Sequence, residues 1–181
     1  MFDTCFQYQY VNRRKVDRLT IHLYRFQVNK RQTILVEVEE FDEHPIALIK
    51  FYDKADQYTI DRFNKLTGKG NFQPILRTCI NIMLYIKSRN PYISFGFAGA
   101  QTPQEKEKGI KENTKRFRIY QSVMLLTFRH LYWQHIFVPD HSLYFILNRD
   151  YCDTKPHIQT DILYCIQKTY PEEAIWGDLL P

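Results

Sequence analysis

Two short stretches of this chain carry residue types whose spacing could act on a ligand. The first, Lys65-Leu-Thr-Gly68-Lys69-Gly70-Asn71, runs straight into an apolar-periodic segment that opens at Phe72. Two glycines allow a tight backbone turn, and a helix start beyond them offers free N–H groups at the positive end of its dipole. Such a loop suits a pyrophosphate. Gly68 and Gly70 would shape the turn, Lys65 and Lys69 add positive charge, and Asn71 stands where the helix begins. The same residues would serve equally as a plain glycine-rich connection. The second stretch is Asn113-Thr-Lys-Arg116-Phe-Arg-Ile-Tyr120. Asn113 is a capping residue type, and Tyr120 falls seven residues on, near the same helix face. A phenol there could be a general acid towards a departing thiolate. Its alternative is a packed aromatic behind an N-cap, with the two arginines solvated or paired.

Other chemistry is thinly represented. Glu37 and Glu39 share one face of a strand pattern and could activate an amine through water, but paired strand glutamates are expected to face solvent. The six histidines show neither H-x-x-x-H nor H-E-x-x-H spacing, so no metal site is expected. There is no G-x-S-x-G elbow and no P-loop. Cys5, Cys79, Cys152 and Cys165 are scattered without a C-x-x-C pair and read as reduced thiols, two of them within helix patterns.

The elements that must position these residues follow from periodicity. Phe6–Tyr10 alternates aromatic and polar residues as a half-buried strand does. After a basic turn at Arg13–Lys15, Arg18–Val28 is a second strand. Its apolar set passes from Leu19, Ile21 and Leu23 to Tyr24, Phe26 and Val28, which predicts a β-bulge near Leu23. Thr33–Phe41 is a third strand. Ile46–Tyr52 is a fourth, apolar on both faces, so it should be central and covered by helices on two sides. Ala55–Lys65 is expected as a short helix with Tyr58 and Phe63 turned inward. Phe72–Lys87 is the strongest helix, with Ile75, Leu76, Cys79, Ile80, Met83 and Ile86 at three-and-four spacing and Pro74 in its first turn. Tyr92–Phe97 is a strand, Gln101–Lys111 a polar loop, Asn113–Gln134 a long helix, Ser142–Leu147 a strand and Ile158–Lys168 a last helix. The expectation is a single α/β domain over residues 1–181. A core to about residue 150 holds a four-strand antiparallel meander, then helix, strand, helix, strand, with helices on both faces of a mixed sheet. Residues 151–181, which include Trp176, form a helical extension.

Taken together, the two motifs resemble those of the acyl-CoA-dependent N-acyltransferases of the GNAT superfamily. That family carries a Q/R-x-x-G-x-G/A loop between its fourth strand and a helix, and then an N-x-x-A-x-x-L-Y-like stretch after the next strand. Lys65, Gly68 and Gly70 match the loop, with Lys for Gln/Arg. Asn113, Ile119 and Tyr120 match the second motif, with Arg116 in place of Ala. The resemblance covers about residues 33–147. It implies a GNAT-like fold splayed between its fourth and fifth strands, acyl-CoA as a cofactor and Tyr120 as general acid. The chain also looks like small bacterial and phage-borne proteins, common in Bacteroidetes, that share a T-G-x-G-N…T…I helix and an R-x-R/K-L-Y helix. Here these are Thr67–Asn71, Thr78 with Ile82, and Arg116–Tyr120. That likeness implies a GNAT-like core and no particular activity.

Residues 53–64 separate the fourth strand from the loop, Gln101–Lys111 lengthens the path to the second motif, and no Gly-Phe pair follows Tyr120. These departures favour a non-catalytic or divergent protein that binds a CoA-type ligand or a protein partner. An acyl-CoA-dependent N-acyltransferase comes second and a nucleic-acid-binding accessory protein third. For the third, the net charge of +5 and the basic residues Arg13, Arg14, Lys15, Arg18, Arg25, Lys30 and Arg31 are relevant. No secretory leader and no apolar run long enough for a membrane span is visible, so a cytoplasmic location is expected.

Overall fold

The computed structural model describes residues 5–65 and 70–170. Seven strands build one mixed sheet: β1 (Tyr8–Val16), β2 (Leu19–Asn29), β3 (Gln32–Phe41), β4 (Ile46–Asp53), β5 (Ser94–Ala98), β6 (Trp133–Val138) and β7 (Leu143–Asn148). The helices are α1 (Phe72–Arg89), α2 (Pro103–Glu107), α3 (Lys115–Thr127), α4 (Arg149–Cys152) and α5 (Ile158–Thr169). The strand order is β1-β2-β3-β4-β5-β7-β6. The first four strands form the expected antiparallel meander, β4 pairs parallel with β5, and β7 inserts antiparallel between β5 and β6. Among the described residues no helix is long and apolar enough to cross a membrane.

β4 lies inside the sheet, as its two apolar faces require. Ala47, Ile49 and Phe51 pack against Ile75, Leu76, Cys79 and Met83 of α1 and against Phe117 and Met124 of α3. Ile46 on the other face belongs with Ile158, Ile162 and Ile166 of α5. The segment expected to extend a finished core is thus itself one of the layers.

Several expectations are corrected. β2 carries no bulge at Leu23, because its ladder to β3 is continuous from Leu19 to Gln27. Its apolar phase changes because Leu19 and Ile21 meet the α5 layer whereas Tyr24 and Phe26 meet the α1 layer. The extra residue sits on the partner strand, at Val11 of β1, opposite Leu23 and Tyr24. β1 runs to Val16, and the tight turn is made by Asp17 at φ 47 rather than by Arg13–Lys15. An edge strand exposed on both faces has no apolar alternation to reveal its length. Ala55–Lys65 is one 3-10 turn (Lys54–Asp56) followed by further turns, and Tyr58 is 91% exposed. The polar loop contains α2, closed by a capping box between Thr102 and Glu105. α3 starts from a Thr114 cap, with Asn113 at φ 45, and ends at Thr127. Past Thr127 the expected helix gives way to a turn, and β6 begins at Trp133. His135 Nε2 and the Phe128 carbonyl, 2.8 Å apart, close that helix end from within the new strand. Only tertiary contacts distinguish the two outcomes, since the segment has no Gly or Pro to mark the break.

Gly96 of β5 is where the second face comes closest to the strand. A Cβ there would lie 2.5 Å from Leu48 Cδ2 and 2.7 Å from Phe145 Cδ1. Gly96→Ala should therefore overpack the sheet and lower unfolding free energy by about 1–3 kcal/mol. In urea this would shift the midpoint with the slope unchanged; an unchanged midpoint would show that this face has room.

Candidate functional site

The parallel pairing of β4 and β5 lasts for only three residue pairs, Ile46↔Ser94, Ala47↔Phe95 and Leu48↔Gly96. Past that point β4 stays with β3 as far as Asp53, while β5 stays with β7 as far as Ala98. What draws β5 away is a set of fixings just beyond its end. Gly99 N–H donates to the Ser142 carbonyl at 2.7 Å, and the buried Thr114 hydroxyl donates to the Gly99 carbonyl at 2.5 Å. Only glycine fits there, since a Cβ would sit 2.7 Å from the backbone nitrogen of Phe117. Backbone groups of β4 beyond Leu48 that face β5 have no ladder partner on that side. A cleft of about 330 Å³ opens in the gap, bordered by Ile49, Lys50 and Phe51 of β4, by residues 98–100, and by Arg116 and Tyr120 of α3.

Of the residues singled out from sequence, Tyr120 lines this cleft. Its ring packs among Phe97 (5.5 Å between centroids), Phe72 (6.3 Å, stacked) and Phe51 (6.5 Å). Its hydroxyl has no hydrogen-bond partner among the described residues. Burial pushes its pKa well above the ordinary phenol range, with the nearby Arg116 guanidinium partly opposing. The phenol is thus held protonated, able to donate a hydrogen bond into the cleft, and is a weaker acid than an exposed tyrosine. Phe72 ties the two motifs together in space, because it stands in the first turn of α1 next to Asn71 and Gly70. Gly70 holds φ +87, a conformation that favours glycine. Asn71 occupies the N-cap position of α1 without a side-chain cap bond, and no acidic residue lies in the first turn. Gly68 and Lys69 lie outside the described residues, as does Trp176.

Lys65 is placed differently from a free cation. Its ammonium pairs with Asp56 at 2.8 Å, a hydrogen bond that raises its pKa. Its carbonyl, with that of Phe63, accepts from the Arg116 guanidinium. Arg116, 6% exposed, therefore clamps residues 63–65 onto α3 at the rim of the cleft. Its position in the second motif drew attention, but its role as a clamp had no sequence signal.

The opposite face of the sheet holds what sequence reasoning missed. Glu37 and Glu39 are not solvated but only 5% and 6% exposed. Glu37 accepts from the Tyr52 hydroxyl at 2.8 Å and has Arg14 and Arg62 each 3.9 Å away. Glu39 pairs with Lys50 at 2.9 Å and accepts from the Tyr170 hydroxyl. The Lys50 ammonium stands over the ring of Tyr170 at 4.5 Å and that of Phe63 at 5.7 Å. A signal was present: a lysine within a strand apolar on both faces needs a buried partner, and alternating glutamates one strand away supply it.

Set against known proteins, the chain matches no family model, no curated protein and no solved structure. The fold itself defines the class, an α/β protein with a seven-stranded mixed sheet, opened at the middle by the parting of two parallel strands.

Replacing Arg116 with alanine should free the chain at the cleft rim. Charge-assisted hydrogen bonds contribute about 1.5–3 kcal/mol each, so at least about 2 kcal/mol of stability should be lost. Amide exchange should accelerate across residues 61–65 before it does in the sheet. Uniform acceleration instead would mean that Arg116 supports the whole core and not the rim.

Proposed function

We propose that the cleft between β4 and β5 takes an extended ligand of the acyl-CoA type, and that the protein is a ligand-binding relative of the N-acyltransferases on a GNAT-like fold. One observation carries this reading: the sheet has an internal edge. Strand edges with unpaired N–H and C=O groups recruit extended chains that supply the missing pairing. The pantetheine arm of CoA is such a chain, bearing amide groups. At about 330 Å³ the cleft is at the small end of ligand pockets, which suits an arm rather than a whole nucleotide. The phosphates would then lie outside it, at the start of α1, where left-handed Gly70 precedes an uncapped helix end.

Acyl transfer is the second reading, favoured by Tyr120, whose protonated phenol borders the cleft where a thioester would sit. Nucleic-acid binding has less support. Of the basic residues on β1 and its turn, Arg14, Lys15 and Arg18 pair with Glu37, Asp42 and Glu43, and helices cover both faces of the central strands.

Thermal shift with CoA separates these readings. CoA should raise the melting temperature of the protein, and Gly70→Glu should remove the shift while leaving the unliganded midpoint within a few degrees. An oligonucleotide that stabilises the protein where CoA does not would overturn the proposal. If turnover accompanies binding, Tyr120→Phe should lower it by about 10²–10⁴-fold with CoA affinity unchanged. An unaltered rate would remove Tyr120 from the chemistry.

A further inference from the structure

We propose that Lys50 is itself an acyl acceptor: a thioester held in the cleft transfers its acyl group to Lys50 Nζ, leaving the protein N-acylated where β4 and β5 part. The inference rests on the reading of the cleft as an acyl-CoA site. It adds a substrate, which is the protein's own side chain, and a product that persists after CoA has left.

The placement of Lys50 carries it. The residue stands two positions past Leu48, the last β4 residue paired with β5, so it is among the first whose surroundings the parting opens. It borders the cleft together with Tyr120, and it also borders the adjoining cavity that reaches Phe145, Ile166 and Tyr170 on the α5 side. The residue thus borders both openings, and its Nζ lies 5.7 Å from the ring of Phe63, which lines the first, and 4.5 Å from that of Tyr170, which lines the second. One other lysine, Lys111, lines the cleft among the described residues, but it is solvent-exposed on the loop before α3 and has no carboxylate held against it. Lys50 has Glu39 at 2.9 Å, and that carboxylate is buried. The rings of Phe63 and Tyr170 flank the ammonium and restrict the directions in which it can move.

An ammonium cannot attack a thioester, and a lysine becomes a nucleophile when an adjacent base takes its proton. Here Glu39 accepts that proton from Nζ. The neutral amine adds to the thioester carbonyl, forming the N–C bond. Collapse of the adduct breaks the C–S bond, and the nitrogen releases its second proton to solvent. The leaving thiolate takes its proton from water. The products are the amide at Lys50, free CoA and one net proton. Acylation also abolishes the Lys50 charge, so Glu39 keeps the Tyr170 hydroxyl but loses its ionic partner. The state of the cleft is thereby written into the contact between the sheet and the end of α5.

The test uses the full chain with acetyl-CoA, intact mass and peptide mapping as the readout, and calorimetry with CoA in parallel. The expected result is one acetyl group per chain, located at Lys50. Lys50→Arg, which keeps the charge opposite Glu39, should bind CoA and remain unmodified. Glu39→Gln should slow the modification by about 10²-fold or more, and the mapping of the unaltered protein stands even if that variant folds poorly. CoA binding without an adduct overturns this inference alone, as does acetylation on Lys111 or scattered over surface lysines. Absence of CoA binding overturns both it and the reading of the cleft.

Discussion

Beyond Leu48 the central strand keeps one neighbour and loses the other, and most of what is particular to this protein depends on that parting. A parallel pair buried on both faces would ordinarily run its full length, because unpaired backbone groups inside a protein are costly. Here the end of β5 is held elsewhere. The Gly99 backbone is fixed to Ser142 before β7 and to Thr114 at the cap of α3, in a space that admits no side chain. The cap of α3 thus does two jobs. Thr114 starts the helix by accepting from the Phe117 N–H, and its hydroxyl proton anchors the strand that has turned away from β4.

The gap would collapse if nothing kept its walls apart. On one side aromatic rings do so: Tyr120, Phe72, Phe51 and Phe97 form a contiguous group joining α3, α1, β4 and β5. Arg116 adds a polar strut by holding the 63–65 backbone to α3. On the other side the struts are ionic. Lys50 with Glu39, and Arg14 and Arg62 around Glu37, put charged groups in a face that α5 otherwise makes apolar. Buried ion pairs of this kind contribute little net stability compared with apolar packing, yet breaking one is expensive. They keep their geometry without being the source of the fold's stability, and that is what a side chain with a chemical role requires.

How much could be read beforehand depends on whether a residue's neighbours are local. The apolar run Ile46–Tyr52, marked on both faces, was enough to place β4 inside a covered sheet, and the three-and-four spacing from Ile75 to Ile86 was enough for α1. Gly70 was legible as a turn glycine, and it holds a left-handed φ, whereas the helix carrying Tyr120 is capped by Thr114 and not by Asn113, from which its position was counted. β6 was not legible. His135 meets the Phe128 carbonyl only after the chain has reversed, and a helical continuation satisfies the same local pattern. Glu37 and Glu39 were misjudged for a related reason. A glutamate two residues from another resembles a solvated strand face until Tyr52, Lys50 and Tyr170 are brought over it from β4 and the end of α5.

The sequence by itself determined the meander, the burial of β4 and the chief helix, since each is encoded by periodicity within one segment. Tertiary structure alone decided that β4 and β5 separate, that Tyr120 borders the resulting cleft, and that Lys50 faces Glu39 at its far side. Those outcomes depend on which segments meet: Gly99 with Ser142 and Thr114, Tyr120 with Phe51 and Phe97, and Lys50 with Glu39 from the neighbouring strand. Hydrophobic patterning records which face of an element is covered, and carries no record of which neighbour wins a hydrogen bond.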